Sequence, residues 1–325
     1  MILPTDEQLY HFVDNLEESI RFDFKSLGNV DNILMCGMGG SSISADIVLD
    51  LCFDKSRIPI RCMKYSEMPS WAGPSTLVIC SSYSGNTQET ISAYDQAVAC
   101  GCKVVVVTAG GKLKDRAVRD SSSLILMPDN MHPRHSIGFM VGYTLAVIKS
   151  TGACDITESI ASCISSLRDY RDAIMPKGDG KAWSMAEALQ KKVPIMLSDM
   201  SLRSVSFRWK TQINENAKYI AFTNQIQEFN RCALEAWNAD HGSNGYLLVL
   251  SGNSDPRLDD VISKMDEYGC EYHVERFEGE TDVENLFRAI ILGDYISMYM
   301  AEIRGIDAGI VPPIVRLKQL LNERM

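Results

Sequence analysis

The sequence predicts an α/β protein with two doubly wound parallel-sheet domains in tandem. Short apolar runs alternate with helical stretches along most of the 325 residues, and the runs are almost continuously hydrophobic. A strand covered by helices on both faces has this composition, because neither face meets water. The order strand, serine-rich turn, helix occurs at 77–99 and again at 246–267, which indicates two similar domains.

The first domain is predicted to cover residues 1–152. Residues 5–22 have apolar side chains at helical spacing, so the chain is expected to open with a helix. Five apolar runs are then predicted as strands: Asn32–Cys36, Ile58–Met63, Leu77–Cys80, Val104–Thr108 and Leu124–Met127. A helical pattern returns from Ser136 to Lys149, and the following "STG" breaks it and places the domain boundary near residue 152.

The second domain is predicted to cover residues 153–325 and to repeat the same alternation. Its predicted helices lie at 156–174, 201–216, 228–238 and 255–268, and its predicted strands are Val193–Leu197, Tyr219–Phe222 and Gly245–Leu250. The stretch "LVICSSYSGNTQETI" can be laid against "LLVLSGNSDPRLDDV", a weak internal repeat. We therefore expect a second domain whose loops are degenerate copies of the first.

Composition excludes several classes of protein. The 32 basic and 42 acidic side chains give a net charge of −10, which disfavours nucleic acid or an anionic membrane as the main partner. No run of 18 apolar residues and no signal-peptide pattern occurs, so we expect a cytoplasmic protein without a membrane span. The ten cysteines include no CxxC pair, and no acidic or histidine cluster has ligand spacing. Neither a metal nor a cofactor is predicted.

Two strand-to-helix turns of the first domain carry the chemical signal. The earlier is "CGMGGSSIS", Cys36–Ser44, where Ser41 or Ser42 is expected to cap the next helix; the later is "SSYSGNT" from Ser81. In a parallel sheet both turns lie at the carboxyl edge, where helix N-termini attract anions. Hydroxyls and backbone amides without a neighbouring lysine or arginine suit a phosphate monoester.

Other interpretations of these turns explain less. Plain turns and caps account for one serine and one glycine in each loop, but not for the hydroxyls of "SSYSGNT". Gly37, Gly39 and Ser42 come close to the dinucleotide motif GxGxxG, yet the third glycine is a serine and the next strand ends "RCMKY" without an acid for the ribose. A Walker loop is excluded because no GK[ST] follows. Phosphosugar binding remains the preferred hypothesis.

These loops, together with later motifs, resemble a known family. "GMGGSS" followed by "SSYSGNTQETI" is similar to the first half of a sugar isomerase (SIS) domain. With "KTQINENAK", "EFNRCALEAW" and "PPIVRLKQL" in the second half, the chain resembles the bifunctional phosphoglucose/phosphomannose isomerases of archaeal type. That resemblance implies two SIS domains, a homodimer, and cofactor-free interconversion of glucose or mannose 6-phosphate with fructose 6-phosphate through a cis-enediol.

The resemblance also assigns site residues by position. The substrate arginine corresponds to Arg134 in "HPRHS", the catalytic base to Glu215 in "NENAK", and a C-terminal active-site lysine to Lys318. The positions that would bind the sugar phosphate are Gly40, Ser41, Ser42, Ser82, Ser84 and Thr87.

One position departs from the family pattern. The family has E-x-N-H-N-E where this chain has "EFNRCA". In the family the histidine of this motif opens the sugar ring and, in the dimer, reaches the partner's site. Arg231 stands at its position in this chain. An arginine stays protonated and cannot shuttle a proton. It can stabilise negative charge or bind an anion. Ring opening then needs another acid–base group, for which His135 and His241 are the candidates, or relies on spontaneous opening in solution.

The motifs allow three functions to be considered for this chain. In an isomerase, Glu215 moves a proton between C2 and C1 while Arg134 or Arg231 stabilises the developing oxyanion. In a non-catalytic sugar-phosphate sensor or regulatory protein, Arg231 replaces the histidine because no ring is opened. Amide or amine transfer on a phosphosugar requires a nucleophilic cysteine domain or a lysine near the loops, and this sequence carries no such domain. We predict the isomerase.

Overall fold

The computed structural model describes residues 4–240, 245–252 and 256–323. The chain forms two compact units, one of Met1–Asp169 with Gly279–Phe287 and one of Tyr170–Glu278 with Arg288–Met325. Each unit contains one sheet whose strands all pair in parallel, which confirms the predicted α/β class. The domain ranges 1–152 and 153–325 remain a prediction.

The sheet of the first unit has five strands. They are β1 (Asn32–Cys36), β2 (Ile60–Met63), β3 (Thr76–Ser82), β4 (Lys103–Thr108) and β5 (Ser123–Leu126). Their order is β2-β1-β3-β4-β5, so the chain reverses its direction of winding between β1 and β3. All seven residues of β3 are buried, as its apolar composition predicts for a central strand. The five predicted runs are thus confirmed as strands.

Seven of the described α-helices lie wholly or mostly in the first unit. They are α1 (Thr5–Tyr10), α2 (Phe12–Ile20), α3 (Gly40–Cys52), α4 (Gln88–Ala99), α5 (Gly111–Arg119), α6 (Ile137–Ser150) and α7 (Thr157–Ile174). The predicted first helix is divided in two at His11. Every residue of α6 from Ile137 to Ile148 is buried. Two glycines let α2 approach α6, because a Cβ at Gly142 would lie 1.9 Å from Ser19 Oγ and one at Gly138 would lie 2.8 Å from Phe12 O.

The sheet of the second unit has four strands, β6 (Val193–Ser198), β7 (Phe222–Gln225), β8 (Gly245–Ser251) and β9 (Tyr272–Arg276), in the order β7-β6-β8-β9. β8 lies beside β6 as β3 lies beside β1. The two stretches matched in the sequence repeat therefore occupy equivalent positions in their sheets. The second unit repeats the winding of the first with one strand fewer.

The remaining helices are α8 (Lys181–Leu189), α9 (Arg203–Asn216), α10 (Ile226–Glu228), α11 (Leu234–Asp240), α12 (Pro256–Glu267), α13 (Asp282–Ile303) and α14 (Pro312–Glu323). Two predictions need correction. The strand expected at Tyr219–Phe222 begins at Phe222, because Lys218 adopts a left-handed φ of +52° after α9 and the Tyr219 hydroxyl bonds to Gln190 O. The helix expected across 228–238 is interrupted by a π-helical turn at Phe229–Ala233. Within the described ranges no helix has the length and apolar composition to cross a membrane.

Candidate active site

The two predicted phosphate loops meet at the point where the first sheet reverses its winding. Cys36 at the end of β1 is in register with Cys80 in β3, so the loops that follow both strands leave the same edge side by side. The contact between them is close, because a Cβ on Gly37 would lie 3.0 Å from Ser81 O. Ligands of doubly wound sheets bind at this position. The fold therefore brings together the two loops selected from sequence.

The glycine-rich loop starts α3 differently from the prediction. α3 begins at Gly40 with Gly39 as its N-cap, at a φ of +57° that favours glycine. Ser41 and Ser42 already lie inside the helix, and the Ser42 hydroxyl donates to Gly39 O at 2.9 Å. The prediction that Ser41 or Ser42 caps α3 is wrong, because the helix starts before both. Both side chains are buried at the start of the helix.

The Ser/Thr loop arranges its hydroxyls at different depths. Ser82 is buried at the end of β3, and its Oγ lies 3.0 Å from Thr87 Oγ1. Ser84 is exposed at the rim, where its backbone carbonyl accepts a bond from Asn86 Nδ2. Thr87 is the N-cap residue of the 12-residue α4 but makes no side-chain capping bond. The start of α4 therefore keeps an electropositive end beside three hydroxyl groups.

A glycine contact gives this loop its shape. Gly85 has a φ of +64°, and a Cβ there would lie 1.7 Å from Gly110 O. Gly111, with a φ of +71°, leaves equally little room, since its Cβ would lie 2.3 Å from Ser84 O. The Gly85 carbonyl also accepts a bond from Leu113 N at 2.9 Å. The Ser/Thr loop is thus supported by the loop after β4, and only glycine fits at these two positions.

Arg134 lies against the start of α3. It occupies a 3₁₀ turn, Pro133–His135, and its side chain is 6% exposed. A Cβ on Gly40 would lie 3.3 Å from Pro133 O and 3.4 Å from Arg134 Cα, so this turn packs on the first residue of α3. The first unit therefore brings the predicted substrate arginine next to the glycine-rich loop, although the two lie some ninety residues apart in sequence.

The two histidines predicted as substitutes for ring opening have different positions. His135 is buried beside Arg134, and its ring packs edge-on against His132 at 6.0 Å between centroids. His241 lies outside the described residues. Of the two, only His135 has an observed place beside a predicted site residue.

Glu215 lies in the last turn of α9 and is half-buried. Lys218, the final residue of the "NENAK" motif, donates from Nζ to Glu215 O. The left-handed conformation of Lys218 ends the helix and turns its side chain back onto the last turn. Lys218 therefore stabilises the backbone at Glu215, the predicted base of the same "NENAK" motif.

Buried hydrogen bonds between polar side chains hold α9 against α13. This contact was not predicted from the sequence. Arg208 pairs with Asp294 through two bonds, Nε to Oδ1 at 2.9 Å and Nη2 to Oδ2 at 2.7 Å, and Gln212 Nε2 adds a third at 3.1 Å. Asn216 Nδ2 donates to Ser297 Oγ at 2.9 Å. Burial raises the pKa of the Asp294 carboxyl, and the Arg208 guanidinium opposes that effect. The signal in the sequence is the spacing of four residues between polar positions 208, 212 and 216.

Arg231 and Lys318 lie in two helical segments of the second unit. Arg231 is exposed on the π-helical turn, which is anchored by the buried Phe229 packing against Trp237 at 6.3 Å between ring centroids. Lys318 lies in α14, in agreement with the amphipathic pattern of that segment. Within the described ranges no group of three or more histidine, cysteine or acidic residues is arranged to hold a metal.

In the second unit the loop after β6 corresponds to the glycine-rich loop after β1, and its backbone amides are bound by the side chain of Asp199. After β6, Asp199 Oδ1 accepts bonds from Ser201 N at 2.9 Å, Leu202 N at 3.2 Å and Ser201 Oγ at 2.6 Å. A carboxylate therefore occupies the amides that an anion would need. This self-capping concerns the loop after β6. The loop after β8, from which the degeneracy was predicted, lies partly outside the described residues.

Comparisons with known proteins agree with this architecture. Residues 179–321 match the family described as bacterial phospho-glucose isomerase C-terminal SIS domain. The bifunctional phosphoglucose/phosphomannose isomerase of Caldicellulosiruptor bescii is 29% identical, covering 98% of this chain and 96% of its own, and that of Thermoplasma volcanium is 28% identical, covering 94% and 96%.

A solved structure agrees in fold. The C-terminal domain of glucosamine-fructose-6-phosphate aminotransferase from Francisella tularensis superposes with a TM-score of 0.73 at 14% identity, covering 93% of this chain and 96% of that one. At this identity the likeness concerns the fold alone. Residues 179–321 thus match the model of the bacterial phospho-glucose isomerase C-terminal SIS domain, and the chain is similar over nearly its whole length to the bifunctional phosphoglucose/phosphomannose isomerases.

Proposed function

We propose that the protein is an aldose–ketose isomerase that interconverts glucose 6-phosphate or mannose 6-phosphate with fructose 6-phosphate through a cis-enediol. The observation that carries this proposal is the meeting of the two hydroxyl-rich loops with the Arg134 turn at the winding reversal of the first sheet. The names of the similar isomerases support the same activity.

The phosphate group of the substrate is assigned to the first unit. Two helices of more than eleven residues begin at these loops, and their N-terminal ends favour a negative charge. Hydroxyl groups supply short hydrogen bonds to the phosphate oxygens without closing the site with a fixed cation. The residues assigned to this role are Gly40, Ser41, Ser42, Ser82, Ser84 and Thr87.

The chemistry is assigned to a small set of side chains. In the open-chain aldose, Glu215 removes the proton from C2, the electrons form the C1–C2 double bond, and the carbonyl oxygen at C1 becomes the enediolate oxygen. The proton of the C2 hydroxyl then passes to O1, which leaves the negative charge on O2. O2 re-forms a carbonyl as Glu215 returns its proton to C1, and the product is the ketose. Arg134 stabilises the enediolate charge, and Lys318 and Arg231 are assigned as further cationic groups of the site.

Ring opening requires a proton donor and acceptor that Arg231 does not provide. His135 is the preferred group, because it lies next to Arg134, and His241 is the alternative. Spontaneous opening in solution is the third route. As part of the same proposal the protein is a cofactor-free, cytoplasmic homodimer, and light scattering after gel filtration tests its dimeric state.

The first experiment is a coupled assay of fructose 6-phosphate conversion to glucose 6-phosphate and mannose 6-phosphate, in the presence of EDTA. We expect turnover in the wild type and a loss of at least about a hundredfold in Glu215→Gln, the range for removal of a general base. Glu267→Gln is the matched control, because Glu267 is an exposed carboxylate on α12. It should retain full activity.

Arg231 motivates a second candidate, a sugar-phosphate sensor without catalysis. In that case isothermal titration would detect binding of fructose 6-phosphate to a wild type without turnover, and Glu215→Gln would bind equally well. This outcome would refute the isomerase.

A further inference from the structure

Tyr83 connects the Ser/Thr loop to the segment that leads into Arg134. It stands between Ser82 and Ser84 in the sequence and is 8% exposed. Its hydroxyl donates to Pro128 O at 2.8 Å and accepts from Met131 N at 2.9 Å. Both hydrogen-bonding roles of this one oxygen are therefore used on the segment 128–131.

The same segment has a second anchor on its far side. The next amide, that of His132, donates to Gln8 Oε1 at 2.7 Å, and the Gln8 side chain is buried in α1. Beyond it the Arg134 turn packs on Gly40. The backbone that carries Arg134 is thus held by three contacts, and one of them, the bond through Tyr83, comes from the Ser/Thr loop.

We propose that Tyr83 is a positioning residue that makes the placement of Arg134 depend on the conformation of the Ser/Thr loop. The kinetic consequence of this inference rests on the proposed function, whereas the link between Tyr83 and the segment 128–131 does not. A phosphate that orders the Ser/Thr loop also orders Tyr83, and the Tyr83 hydroxyl then fixes the approach to Arg134. Binding energy from the phosphate end of the sugar is in this way applied at the reacting carbons.

The two bonds of Tyr83 differ in what their loss would do. Pro128 is exposed, so water replaces the hydroxyl at its carbonyl. Met131 N is buried, and without the hydroxyl its donor faces no water. Removing one partner of a buried bond leaves the other with its full desolvation cost. Tyr83→Phe should therefore affect mainly the backbone at Met131, from which the chain continues to Arg134.

Hydrogen exchange of the ligand-free protein gives the first test. In Tyr83→Phe we expect the amides of Met131, His132, Arg134 and His135 to exchange roughly tenfold faster, while those of β3 and α4 keep their rates. Tyr94→Phe is the matched control. Tyr94 is also buried and also bonds through its hydroxyl, to Ser122 Oγ and Asp120 Oδ2, but on another part of the unit. Faster exchange confined to the Met131 amide would overturn the proposal.

Steady-state kinetics give the second test. Tyr83→Phe should lower kcat about tenfold and change KM less than about twofold, because the hydroxyls that bind phosphate are intact. In an Arg134→Ala background the same substitution should cost nothing further, since it acts through Arg134. An equal loss of kcat in both backgrounds, or an effect on KM alone, would refute the role. A wild type without turnover would refute the proposed isomerase, and the exchange experiment would still decide the role of Tyr83.

Discussion

Gly85 lies at the tightest backbone contact of the candidate site, and replacing it by alanine is a quantitative test of the loop. Its φ of +64° is one that L-residues rarely adopt, and the added Cβ would lie 1.7 Å from Gly110 O and 2.7 Å from Gly110 C. Ordinary contact begins at 3.4 Å. The Gly110 carbonyl therefore has to move by about 1.7 Å, away from the loop it supports.

A second glycine, Gly101, allows the cost of the left-handed backbone to be measured separately from the cost of the steric clash. Gly101 ends α4 with a φ of +71°, and a Cβ there would meet only Pro74 Cγ at 3.8 Å. Gly101→Ala should thus cost only the left-handed conformation, about 1–2 kcal/mol. Gly85→Ala adds an overpacking term of about 1–3 kcal/mol, which brings its total to about 2–5 kcal/mol.

Two measurements check these values. Urea unfolding should give the larger loss of stability for Gly85→Ala, and inhibition of the isomerase by inorganic phosphate should weaken only in that variant. Displacement of Gly110 moves the Ser/Thr loop, whereas Gly101 lies at the other end of α4. Equal losses of stability in the two variants, or an unchanged phosphate inhibition constant in Gly85→Ala, would refute the reasoning.

Two further predictions concern the second unit. Asp294→Asn leaves the buried Arg208 guanidinium without its counter-charge and should lower the free energy of unfolding by about 3–5 kcal/mol, whereas the apolar pair Arg208→Met with Asp294→Leu should lower it less. Urea titration compares them, and a larger loss in the double variant contradicts the argument. Arg231→His supplies an imidazole where the family pattern has one, so turnover of ring-closed glucose 6-phosphate should rise and its pH profile should gain a titration near pH 6.5. An unchanged profile would exclude a ring-opening role for this position.

Much of the architecture follows from local sequence. The three central strands of the first unit, β1, β3 and β4, are nearly continuous apolar runs, and this composition predicts both their burial and their parallel pairing. The two hydroxyl-rich loops are also visible locally, because each follows a buried strand directly and holds more glycine or hydroxyl residues than a plain turn and cap need. Their hydroxyls and amides indicated a phosphate monoester, whereas the roles of Glu215 and Lys318 came from the resemblance of whole motifs.

Other features depended on tertiary contacts. The start of α3 at Gly40 rather than at a serine follows from its packing on the Arg134 turn. The strand beginning at Phe222 was displaced because the Lys218 backbone and the Tyr219 hydroxyl take up the residues before it. Neither effect has a signal in a short window of sequence.

The sequence by itself determined the α/β class, most of the strands and the two loops, because hydrophobic pattern and turn chemistry act between near neighbours. Only the tertiary structure decided which distant residues meet: Gly37 with Ser81, Gly40 with Arg134, Tyr83 with Met131, and Arg208 with Asp294. These contacts depend on strand order and on the close approach of backbones. Such distances are set by the packing of the whole unit, and no local propensity encodes them.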